Sequence, residues 1–87
     1  MIKSLKMLTL LTILAFVAAS AWADRPPTAE EQVRIETQLR ALGFTSWEEI
    51  ELDDGYWEVD DAIGPDGIEY DVKLHPETLA VVEQKRD

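Results

Sequence analysis

Lys3 and Lys6 precede an apolar run from Met7 to Ala19, and Ala21-Trp22-Ala23 follows it. A positive start, a short apolar core and small residues at −3 and −1 of a cut site make the three-part pattern of a secretory signal peptide. The 13-residue core contains Thr9 and Thr12. As a helix it would reach roughly 20 Å, short of a hydrocarbon layer of about 30 Å. Residues 1–23 are therefore expected to be removed after Ala23, and the fold must be made from residues 24–87. No cysteine follows the apolar core, so a lipid-anchored form is not expected. The expected compartment is periplasmic or extracellular, with no stable membrane insertion after cleavage.

The remaining 64 residues suffice for one domain, of a size at which burial is only marginally sufficient. Exported domains this small often rely on disulfides, but the chain has no cysteine. All 18 acids fall after the leader, against Arg25, Arg34, Arg40, Lys73, Lys85 and Arg86, giving a net charge of −12. That sign argues against nucleic acid and against an anionic bilayer, which need a basic patch. It suits a basic protein or peptide partner, or cations.

Hydropathy patterning orders the domain as a helix followed by strands. Thr28 and Glu31 have the spacing of a capping box, and Glu30 and Glu31 complement the helix dipole. Ile35, Leu39 and Leu42 recur on one stripe, Glu36 and Arg40 form an i,i+4 pair, and Gly43 can take the left-handed stop conformation. Trp47 to Leu52 reads as a strand with Ile50 and Leu52 on one side and Glu49 and Glu51 on the other. Asp53-Asp54-Gly55 is a hairpin turn. Tyr56 to Ile63 reads as the next strand, with Trp57 and Val59 opposite Tyr56, Glu58 and Asp60. After the turn Gly64-Pro65-Asp66-Gly67, the residues Ile68, Tyr70, Val72 and Leu74 alternate with Glu69, Asp71 and Lys73, the period of a strand with one buried face. Pro76 breaks it, and Leu79 to Glu83 reads as a last short strand. The expected class is α+β: one N-terminal amphipathic helix packed on a three- to four-stranded antiparallel sheet.

Two segments carry a family resemblance. W-E-E-I-E-L-D-D-G-Y-W-E-V (47–59) and D-G-I-E-Y-D-V-K-L-H-P-E-T-L-A-V-V (66–82) resemble a PepSY domain, the small domain of peptidase propeptides and bacterial envelope proteins. Asp66, Gly67, Tyr70, Val72, Leu74, Pro76, Thr78, Val81 and Val82 match its closing pattern. His75 stands where Asp is usual. Leu79 stands where Gly is usual, and because Leu tolerates a positive φ poorly, the sequence leaves open whether the ordinary tight turn forms after Thr78. The resemblance implies a helix on a small sheet. It also implies modulation or inhibition of a peptidase, or regulation of an envelope protein.

Catalysis is not expected. Ser46 is the one serine after the leader and His75 the one histidine, and nothing in the sequence brings them together. Ser46 reads as a loop residue, and His75 as the end of a strand. No catalytic residue and no cofactor site are assigned. Asp53, Asp54, Asp60, Asp61 and Asp66 are weak candidates for holding Ca²⁺, although the EF-hand pattern is missing and they read first as turn formers and solvated edge residues. The alternative function is accordingly divalent-cation binding or sensing on acidic turns. Trp47, Tyr56, Glu58 and Asp60 are the partner-binding candidates, exposed aromatics among acids. An open strand edge and the acidic face would together receive a peptide.

Overall fold

The computed structural model describes residues 23–87. The expected leader, apart from Ala23, lies outside them.

Helix α1 spans Ala29–Ala41 and begins as its sequence dictates. Thr28 Oγ1 accepts from Glu31 N–H at 3.2 Å, and Glu31 Oε1 accepts from Thr28 N–H at 2.9 Å, closing the capping box. At the other end, Gly43 sits at φ +96° and Phe44 N–H returns to Leu39 C=O at 2.9 Å. Only a residue free to adopt a left-handed φ permits that reversal cheaply. It drops Phe44 into the core (4 % exposed) and swings Leu42, expected on the buried stripe, out to 39 % exposure. Ile35 and Leu39 alone make the buried stripe. The expected Glu36–Arg40 pair is also absent. Glu36 accepts from Gln32 Nε2 at 2.9 Å, and the Arg40 guanidinium lies 5.2 Å from the centre of the Trp47 ring.

Four strands follow: β1 (Glu49–Asp53), β2 (Tyr56–Ile63), β3 (Glu69–Leu74) and β4 (Val81–Arg86). They form one antiparallel meander in the order β1-β2-β3-β4. Ile50, Leu52, Trp57, Val59, Ala62, Val72 and Leu74 point to one face and join Ile35, Leu39, Phe44 and Leu79 in a single core cluster. Between Val59 and Ala62 the β2–β3 register shifts by a bulge, with Asp61 at φ +51°. The bulge keeps Ala62 facing inward after two successive acids, so alternation resumes in the correct phase.

The β3–β4 turn answers the question that the sequence left open at Leu79. Leu79 does adopt a positive φ (+62°), and the turn closes around it, with Leu79 N–H donating to His75 C=O at 3.0 Å and His75 N–H to Ala80 C=O at 2.8 Å. His75 serves where an aspartate is usual: its Nδ1 accepts from the backbone N–H of Glu77 at 3.1 Å and of Thr78 at 3.3 Å. A neutral imidazole nitrogen thus does the work of a carboxylate oxygen. Because Leu79 belongs to this turn, the last strand starts at Val81 and runs to Arg86, later than the expected Leu79–Glu83.

Candidate functional site

The core takes one face of the sheet, and the other is lined by side chains that alternate with the buried set. From β1 these are Glu49, Glu51 and Asp53; from β2, Tyr56, Glu58 and Asp60. Register places Glu49 opposite Asp60 and Glu51 opposite Glu58, with Asp53 opposite Tyr56. Like charges directly opposite across a ladder destabilise it. The hydrophobic pairing of Ile50 with Val59 and Leu52 with Trp57 on the covered face enforces this register regardless. On the β3 side Lys73 lies opposite Glu58 and supplies local compensation.

Crowding shows in the proton affinities. Glu58 is pushed up to about 7, first by hydrogen bonding to the Asp53 carboxyl, then by loss of water and by that neighbour's charge. Asp53 is held below the usual range by the same hydrogen bond. One proton shared between the two, held on Glu58, explains both directions. Glu51 and Asp60 are raised, first by desolvation and then by the surrounding acids.

The four partner-binding candidates do not all meet. Tyr56, Glu58 and Asp60 share the open face, with Tyr56 40 % exposed at its Asp53 end. Trp47 packs against the core cluster beneath Arg40 of α1, on the covered side. Glu49, Glu51 and Asp53 belong to the open face as well. The alternation of Glu49 and Glu51 was visible in the sequence, whereas Asp53 was expected in the turn and instead ends β1; the placement of all three required the strand register.

The five cation candidates are likewise scattered. Asp53 is engaged with Glu58, and Asp54 N–H is bound by Asp24 Oδ1 at 3.2 Å. Asp66 accepts from Tyr70 Oη–H at 2.6 Å and Ile68 N–H at 3.0 Å, which shapes the β2–β3 turn. Asp60 stays on the open face. Asp61 alone joins a set of carboxylates close enough to share an ion: Asp61, Asp71 and Asp87, with ligand atoms within 4.8 Å of one another. Asp61 N–H donates to Asp71 Oδ1 at 3.2 Å, so the bulge itself uses one of these oxygens. Ser46 bridges Ile63 at one end of β2, while His75 follows Leu74, which pairs with Trp57 at the other end. The two cannot act together.

The N-terminal lead is part of this architecture. Arg25 exchanges both backbone hydrogen bonds with Leu52 (3.2 and 2.8 Å) on the outer edge of β1. Its guanidinium grips both Glu31 oxygens at 2.8 and 3.0 Å and lies 5.5 Å from the Trp57 ring centre. The lead therefore covers the outward backbone groups of Leu52, so on the β1 side the edge is not wholly open.

Among the described residues no helix is long and apolar enough to cross a membrane. No curated protein and no solved structure matches the chain. The model of one family, described as the peptidase propeptide and YPEB domain, matches residues 7–85. With a helix on an antiparallel sheet and the D-G-x-x-Y-x-V motif building β3, the chain belongs to the PepSY (peptidase propeptide and YPEB domain) family.

Proposed function

We propose that this protein is an exported binding domain, released after Ala23 into the periplasm or medium, whose acidic sheet face engages a basic segment of a peptidase or envelope protein and modulates it. Domains of the peptidase propeptide and PepSY kind are characteristically non-catalytic, and this chain is not an enzyme. The observation that carries the binding role is the ladder of Glu49–Asp60 and Glu51–Glu58 pairs beside the exposed Tyr56. A face of like charges that Lys73 compensates only at Glu58 is costly alone and is relieved when further Lys and Arg side chains lie between the acids. Tyr56 adds an aromatic anchor at low entropic cost.

The test is capture from the exported fraction of the source cells, followed by titration of the captured segment as a synthetic peptide. Wild type is expected to retain a Lys/Arg-rich segment with affinity that falls as salt rises. The Glu51→Gln, Glu58→Gln double variant should weaken it about tenfold or more, and Tyr56→Ala should weaken it without changing the salt dependence. Unchanged capture by the double variant would remove the acidic face from the function.

A further inference from the structure

The two edges of the sheet are not equivalent. On β1 the outward backbone groups of Leu52 are already taken by Arg25. On β4 nothing among the described residues covers the corresponding groups. Asp87 N–H donates to Glu69 C=O at 3.0 Å, in register with the Asp71–Lys85 and Lys73–Glu83 pairs. Residues 83, 85 and 87 therefore turn their backbone groups toward β3, and antiparallel alternation turns those of Gln84 and Arg86 outward. β4 is also the basic side of an acidic domain, for Lys73, Lys85 and Arg86 all lie on β3 and β4.

The geometry points to a second copy of this chain as the occupant of that edge, pairing β4 antiparallel with its own β4 across a two-fold axis at Gln84. Outward bonding at Gln84 and Arg86 restricts the register, because opposed residues in a hydrogen-bonded pair must both face out. Centring on Gln84 places Gln84 opposite its symmetry mate and sets Glu83 opposite the partner's Lys85 twice over. Shifting the centre by half a residue, to between Gln84 and a neighbour, leaves Gln84 facing Glu83 or Lys85, whose groups are committed to β3. Centring on Glu83 or Lys85 stacks identical charges on the axis. Charged residues usually protect an edge from pairing; on β4 they are ordered so that one antiparallel register satisfies them. Within one chain Glu83 and Lys85 make only an exposed contact of 3.5 Å. The product is an eight-stranded sheet with both acidic faces on the same side, both free for the partner proposed above. The inference does not depend on that partner.

Because the chain has no cysteine, single substitutions report the register directly. Gln84→Cys places two thiols across the axis at a Cα separation of about 5.5 Å, within disulfide range. Cysteine at 82 or 86 faces the other position, so identical thiols lie about 14 Å apart. Mild oxidation of the purified proteins at equal concentration is expected to cross-link Q84C at least tenfold faster than V82C or R86C. Sedimentation equilibrium of wild type should show mass rising from one chain to two with concentration. Gln84→Pro removes an outward N–H that β3 does not use, and should hold the mass at one chain while cooperative unfolding persists. Equal cross-linking at the three positions, a wild type that stays a single chain to millimolar concentration, or a dimer indifferent to Q84P each overturn the proposal. So does a single-chain protein whose β4 instead binds an added basic peptide.

Discussion

At Leu79 two residue-scale forces oppose each other. A leucine held at φ +62° gives up roughly 1–2 kcal/mol to steric conflict between Cβ and its own backbone. Its side chain is only 7 % exposed and sits in the core cluster, and burying a leucine gains about 1.5–3 kcal/mol. Its carbonyl also accepts from Gln38 Nε2 at 3.1 Å, tying the turn to the helix. Burial wins over strain. Leu79→Gly should then destabilise by about 1–3 kcal/mol, since the cavity outweighs the relief. Leu79→Ala should cost about 1 kcal/mol more, because it leaves the cavity and keeps the strain. Urea unfolding of the three proteins gives the order; a Leu79→Gly variant more stable than wild type would mean that strain dominates. Sequence reading identified the conflict at this position, but weighed the φ penalty without knowing that the side chain had a core to fill.

Among the elements, the ones with a strong local signal were legible. The capping box, Gly43 and the period-two run through β3 fix α1 and the middle of the sheet by short-range chemistry. Where neighbours decide, the sequence was insufficient: Leu42 leaves the stripe because the chain reverses at Gly43 and Phe44 fills the space. Arg40 turns to Trp47 rather than Glu36, and β4 begins late because Leu79 belongs to the turn. The binding face was half visible, since alternation gives each strand's polar side but not which acid opposes which. The Arg25 clamp was not foreseen. It depends on the lead crossing β1, and it gives Glu31 two tasks, capping the helix and pairing Arg25. The ion pair is partly exposed and weakened by solvent, and the cap bond contributes about 1 kcal/mol. Glu31→Ala is expected to lower stability by about that amount in thermal unfolding. Arg25→Ala should lose less, because the capping box remains. Equal losses would place the whole effect in the ion pair.

For the whole molecule, the distribution of acids sets an unusual dependence of stability on pH. Glu58 and Glu69 are both raised to about 7, Glu58 chiefly by its bond with Asp53 and Glu69 chiefly by its bond with Asp87. Between their ordinary value near 4.5 and about 7, the folded protein holds protons that the unfolded chain has released. Their contribution is therefore complete at the acid end of that window and is lost as pH rises through it. Glu31 works in the opposite sense: the Arg25 guanidinium, then the Thr28 N–H, hold it down to about 2. Its contribution is complete above about 4.5 and is lost as pH falls toward 2. The two trends intersect on the acid side of neutrality, so the melting temperature should peak near about pH 5 and decline toward both pH 3 and pH 8. At pH 8 the face carries more negative charge than at pH 5, and added salt should raise the melting temperature more there, because screening acts on more charge. Glu58→Gln keeps a hydrogen bond to Asp53 without adding charge, and should flatten the alkaline decline. Calorimetry from pH 3 to 8.5 at two fixed ionic strengths checks all three outcomes. A melting temperature constant from pH 5 to 8, unmoved by salt, would show that the opposed acids are too well solvated to repel and that the sheet face is no reservoir of charge for a partner to relieve.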